Sequence, residues 1–91
     1  MYTKLTLEIS PSAETDFREI WQKIAKFGHR EASKTIQKIA YKIYTLEYLA
    51  YQYPEVLESG LFGLPYRQLD CENYQILFQV DKNHVQVLRI I

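Results

Sequence analysis

The chain has 91 residues, no net formal charge and a pI near 6.7, which bounds it to one domain spanning residues 1–91 and weighs against a dedicated nucleic-acid binder, since such domains are usually basic. Its single cysteine, Cys71, rules out an internal disulfide, and two histidines beside it are too few and too scattered for a zinc site, so neither metal nor cofactor is expected. No apolar run has the length of a signal peptide or a membrane span, so a cytoplasmic protein with no membrane partner is expected.

Leu5, Leu7 and Ile9 alternate with Thr6, Glu8 and Ser10, the pattern of a short half-buried strand. Ser10 then reads as a helix N-cap with Pro11 at the first helical position. Glu14 and Asp16 lie where the helix dipole favours negative charge. A first helix is predicted from Pro11 to Phe27, with Ala13, Phe17, Ile20, Trp21, Ile24 and Phe27 on one face and Gly28 stopping it in a left-handed cap. A second helix follows from about His29 to Tyr48, with Ala32, Ile36, Ile39, Ala40, Ile43 and Leu46 as its apolar arc. The two form a hairpin whose apolar faces must cover a sheet.

Tyr51 to Gly63, with Pro54 and two glycines, reads as a loop whose aromatic and leucine content should partly pack. The last third is a three-stranded antiparallel meander. Its middle strand is Asn73–Val80, where Tyr74, Ile76, Phe78 and Val80 alternate with Gln75, Leu77 and Gln79. Leu64–Asp70 and His84–Ile91 pair with it across short, polar connectors. The fold class is therefore α+β in the order β-α-α-β-β-β, a helical hairpin packed on a mainly antiparallel sheet. The first strand should join that sheet, but its neighbour is not fixed by the pattern.

Motifs of high chemical specificity are absent: there is no Gly-rich phosphate loop, no His-Glu-x-x-His and no Gly-x-Ser-x-Gly. Catalytic residues are left unassigned. Arg30, Lys34, Lys38 and Lys42 recur at four-residue spacing on the second helix, with Tyr41 and Tyr48 among them. That is either a basic face for an acidic partner or phosphate backbone, or a solvated helix face, which such runs commonly are. Arg67 on the strand before the central one could grip a phosphate or carboxylate, or pair internally with Glu72 or Glu58. Arg89 carries the same two readings, with the internal pair preferred. Eight tyrosines are more than a chain of this size hides, and tyrosine is frequent where a surface meets a partner.

The joint order of Ser10-Pro11, Ala13, Asp16-Phe17, Ile43, Leu46, Tyr53-Pro54, Gly63, Tyr66-Arg67, Tyr74–Val80 and Val85–Ile90 resembles the RelE/ParE toxins of type II toxin–antitoxin modules over nearly the whole chain. The likeness is closer to the ParE-like, plasmid-stabilisation members. It implies a small toxin neutralised by a cognate antitoxin and acting on a cellular target, DNA gyrase in the ParE-like case. The alternatives it leaves are ribosome-dependent cleavage of mRNA, as in RelE-like members, and a non-toxic scaffold that keeps only antitoxin binding. Gln75 stands where RNA-cutting members commonly carry an arginine, and the sequence stops at Ile91 where they carry basic or aromatic residues. The residues implied for target or antitoxin contact are Arg67, Tyr66, Gln75 and Arg89, with Arg30, Lys34, Lys38 and Lys42 as a basic face.

Overall fold

A computed structural model describes residues 4–56 and 65–91. The elements are β1 (Thr6–Ile9), α1 (Pro11–Ala25), α2 (His29–Leu49), a 3-10 turn (Ala50–Gln52), β2 (Glu55–Val56), β3 (Tyr66–Cys71), β4 (Tyr74–Asp81) and β5 (His84–Ile90). They form one five-stranded sheet in the order β1-β5-β4-β3-β2, with the helical hairpin on one face. The central position of β4 follows from its composition: Ile76, Leu77 and Phe78 are all buried, so neither face of the strand tolerates an edge.

β1 lies parallel to β5, with Leu7 opposite Val85 and Ile9 opposite Val87. The remaining pairs are antiparallel. β3 turns into β4 through Glu72 and Asn73, both at positive φ (55° and 75°), the backbone that a two-residue hairpin with matching strand twist demands. Part of the expected loop is ordered structure: the two residues of β2 pair with Tyr66 and Arg67. Residues 57–64, which include Glu58, Gly60, Leu61, Phe62, Gly63 and the expected strand start at Leu64, lie outside the described residues, as does 1–3.

The hydrophobic core forms where α1 and α2 meet the sheet. Ile20, Ile39, Ile43 and Leu46 from the helices pack against Leu69, Ile76, Phe78, Val85, Val87 and Ile90. Tyr53 closes one end with its ring edge-on to Phe78, centroids 5.9 Å apart. Between β4 and β5 the register slips by one residue: Leu77 faces Arg89, but Phe78 faces Val87, leaving Leu88 as a bulge. The slip brings both Val87 and Ile90 into the core despite their odd spacing.

Ser10 ties the start of α1 to that bulge. Its Oγ accepts from the Ala13 N–H at 3.1 Å and donates to the Leu88 carbonyl at 2.8 Å, while its backbone N–H donates to the Val87 carbonyl. The N-cap is as expected, but the helix end is not. α1 stops at Ala25 through tight bonds from Phe27 N–H to Ile24 O and Gly28 N–H to Ala25 O. Gly28, at φ 154° and ψ 130°, opens α2 rather than closing α1 in a left-handed cap. Because the chain has left the helical path by then, Phe27 misses the apolar face and is 88% exposed.

Candidate functional site

β-strand alternation divides the sequence-predicted residues between two faces. Leu69 and Cys71 of β3 and Ile76 and Phe78 of β4 join the core under the helices. Tyr66, Gln68 and Asp70 therefore share the outer face with Gln75, Leu77 and Gln79, and Gln86 of β5 stands opposite Gln79. Tyr66 is half-buried and Gln75 exposed. Gln75 exchanges both backbone hydrogen bonds with Ile91, at 2.7 and 2.9 Å. Leu77 is only 1% exposed although it points away from the helices. This outer face carries glutamine amides and the exposed carboxylates of Asp70 and Asp81 around a buried leucine. Among the described residues of β3 and β4, no cation projects from it.

Arg67 lies on the opposite side of β3, across from Phe78. Its Nη1 donates to the Tyr53 carbonyl at 2.6 Å, its guanidinium lies 5.3 Å from the centroid of the Tyr51 ring, and Nη2 is 3.9 Å from Glu55. The acid beside it is thus Glu55, delivered by β2, and not the Glu72 expected from the sequence; Glu58 lies outside the described residues. Arg67 clamps the chain between the 3-10 turn and β2. A groove of about 380 Å³ runs along it, with Tyr66, Gln79 and Asp81 also in its wall.

Arg89 is engaged in a stronger internal contact. Its Nε and Nη2 donate to the two oxygens of Asp16 at 2.7 and 3.0 Å, and the Ile90 N–H donates to the same carboxylate at 2.9 Å. Asp16 is buried on α1. Burial pushes its pKa up, but the Arg89 hydrogen bond, the Ile90 N–H and the Arg89 charge together outweigh burial and hold the carboxyl below its ordinary value. The same bond raises the Arg89 pKa. Asp16 thus satisfies the Ile90 amide, which lies beyond Val87, the last β5 residue paired with β1, and fixes the last strand to the first helix. Sequence reading assigned it only a dipole role, yet Ala13, Asp16 and Ile20 sit three and four residues apart, and an acid inside an apolar stripe is a signal of a buried partner.

The basic face is the exposed side of α2. Lys38 pairs with Glu72 at 3.2 Å, whereas Arg30, Lys34 and Lys42 make no ion pair among the described residues. Lys34, Lys38, Lys42 and Tyr41 border a groove of about 650 Å³ closed by Cys71 and Glu72 of the β3–β4 turn. Burial and the Glu72 charge push the Cys71 thiol up despite the nearby lysines, so it is protonated and a poor nucleophile near neutral pH. Neither histidine reaches it: His29 lies tilted against Trp21 with ring centroids 5.3 Å apart, and His84 meets Glu8 at 2.7 Å. No cluster of metal-ligating side chains occurs among the described residues, and no helix there is long and apolar enough to cross a membrane.

The family model of the ParE toxin of type II toxin–antitoxin systems, parDE, matches residues 7–91. The chain also superposes on a solved structure titled the chromosomal ParDE TA system from P. aeruginosa, with a TM-score of 0.79 and 24% identity over 96% of this chain and 94% of that one, a likeness of fold. No curated protein sequence is significantly similar. With the family model matched from β1 through β5 and the α-hairpin-on-sheet fold in place, the chain belongs to the ParE toxin family of type II toxin–antitoxin systems.

Proposed function

We propose that this chain is a toxin that works by binding protein: held inactive in the cytoplasm by a cognate antitoxin, it engages DNA gyrase and does not cut RNA. The supporting observation is the outer face of β3 and β4, which carries glutamines and carboxylates but no cation among the described residues of those strands, with both sheet arginines turned to internal partners. Cutting RNA through its 2′-hydroxyl needs a base, cations for the charge building on phosphate and an acid for the leaving oxygen. Gln75 can donate a hydrogen bond but carries no charge, and losing one well-placed donor to such an oxyanion costs roughly 100- to 1,000-fold in rate. Tyr66 and Gln75 contribute contact surface in this reading. Arg67 and Arg89 act by positioning the strands that present it.

The test pairs a gyrase supercoiling assay with primer extension on a message translated in a cell-free system. Inhibition of supercoiling without cleavage is expected. Codon-position cleavage would replace this reading with ribosome-dependent mRNA cleavage, and silence in both assays would favour a scaffold that only binds antitoxin. Co-expression with the adjacent gene and pull-down should recover a stable complex.

A further inference from the structure

α2 and the turn after it carry a row of exposed tyrosines, of which the last, Tyr51, also donates its hydroxyl to the Lys82 carbonyl at 3.1 Å and lies beside Arg67. Tyr41, Tyr44, Tyr48 and Tyr51 are 68, 62, 52 and 58% exposed. Their spacing of three, four and three residues is that of a helix–helix seam, not of scattered surface positions. The buried residues Ile39, Ile43 and Leu46 hold the other side of the same helix against the sheet, so the row has no role in the core. Continued toward the N-terminus, the seam runs through Gln37 to Lys34, with Lys38 and Lys42 beside it. The surface is therefore graded, aromatic at one end and cationic at the other. The cationic end borders the groove of about 650 Å³ where Glu72 is the one carboxylate and is already paired with Lys38.

We infer that this seam docks an amphipathic α-helix of a protein partner whose apolar residues lie on the tyrosines and whose acidic residues reach Lys34 and Lys42. From residue 34 to residue 51 the seam is about 27 Å long, the length of roughly five helical turns. Tyrosine suits such a contact because it buries large area at low entropic cost and keeps its hydroxyl hydrated. Charge complementarity selects the occupant. A second copy docked in parallel sets Lys34 against Lys34. Docked antiparallel, it brings Lys34 to Tyr51, whose ring already faces the Arg67 guanidinium. A single-stranded nucleic acid needs cations along its whole track, but on α2 they stop at Lys42, and at the aromatic end Arg67 is held by the Tyr53 carbonyl and Lys4 is paired with Glu47.

The assay needs no toxin activity, so it reads independently of the gyrase proposal. The probe is a fluorescein-labelled helical peptide of about 18 residues, leucine at seam spacing and glutamate at one end, titrated with the full chain and followed by anisotropy. Saturable binding is expected, weakened roughly tenfold or more by Lys34→Glu with Lys42→Glu, and likewise by Tyr44→Gln with Tyr48→Gln. Added salt should weaken binding to the wild type more than to the lysine variant. All four positions are exposed and glutamine favours helix, so thermal melts should match the wild type and separate lost docking from lost fold. The inference is overturned if a peptide with lysine in place of glutamate binds as well, if either variant binds unchanged, or if a thymidine oligonucleotide binds more tightly than the peptide. Self-association in sedimentation that Tyr44→Gln with Tyr48→Gln abolishes would assign the seam to a second copy instead.

Discussion

Arg89 and Arg67 were both candidates for gripping an outside ligand, and each is bonded to a partner inside the chain, Arg89 to Asp16 and Arg67 to the Tyr53 carbonyl. Arg89→Ala leaves Asp16 buried with only the Ile90 N–H, and should cost about 1–3 kcal/mol at neutral pH. The Asp16 pKa is depressed in the folded state, so its contribution is complete above the unfolded value, about 3.9, and is lost as pH falls through the folded one. Urea denaturation of wild type and variant should therefore show a gap that is widest near pH 7 and narrows below about pH 4. A gap constant down to pH 3 would mean that the ion pair is not its source. Arg67→Ala removes the bond to the Tyr53 carbonyl and the contact with Tyr51, and should cost about 1–3 kcal/mol. Arg67→Lys should recover less than half, because a lysine cannot reproduce the planar fork. A toxicity loss in Arg67→Ala without a lowered melting temperature would instead point to direct contact with a target. At Cys71 the raised pKa predicts slow alkylation by iodoacetamide at pH 7 that accelerates only above the range of an ordinary thiol.

Among the elements, the junction of β1 with α1 is the most constrained. One hydroxyl, Ser10 Oγ, serves the helix start and the β5 bulge together. Ser10→Ala should therefore cost about 1–2 kcal/mol, at the upper end for an N-cap, since the Leu88 carbonyl is orphaned along with the cap. Ser10→Thr, which keeps the hydroxyl, should retain most of that stability; chemical denaturation of the three proteins measures both. The hairpin tip shows the opposite case. Phe27 is solvated because the first helix ends two residues before it, so Phe27→Ser should leave the melting temperature nearly unchanged.

At the level of the whole molecule, β1 completes the sheet only by lying beside the strand farthest from it in sequence. Its parallel pairing with β5 covers Val85 and Val87 at the sheet edge and brings Ser10 to the bulge. Deleting residues 1–10 removes the strand, the cap and the buried Leu5 together. The truncated chain should lose cooperative unfolding in circular dichroism and fall largely into the insoluble fraction on expression. Deletion of residues 1–3 should be tolerated far better, because Leu5 and all of β1 remain.

Strands β1, β3, β4 and β5, the two helices, the N-cap at Ser10 and the central place of β4 were legible in the chain itself. Each rests on periodicity or on the chemistry of a few adjacent residues, and local backbone geometry ties such patterns to one conformation. The parallel partner of β1 was not legible, because it joins residues almost a chain length apart, and either free edge of the meander fits the same alternation. The short β2 was hidden for a related reason: two residues carry no period, and Glu55 and Val56 become a strand only because Tyr66 and Arg67 lie beside them. The partners of Arg67 and Arg89 followed from that packing. A guanidinium finds its carboxylate or carbonyl within about 3 Å, a distance set by how helices and strands meet and not by any spacing along the sequence.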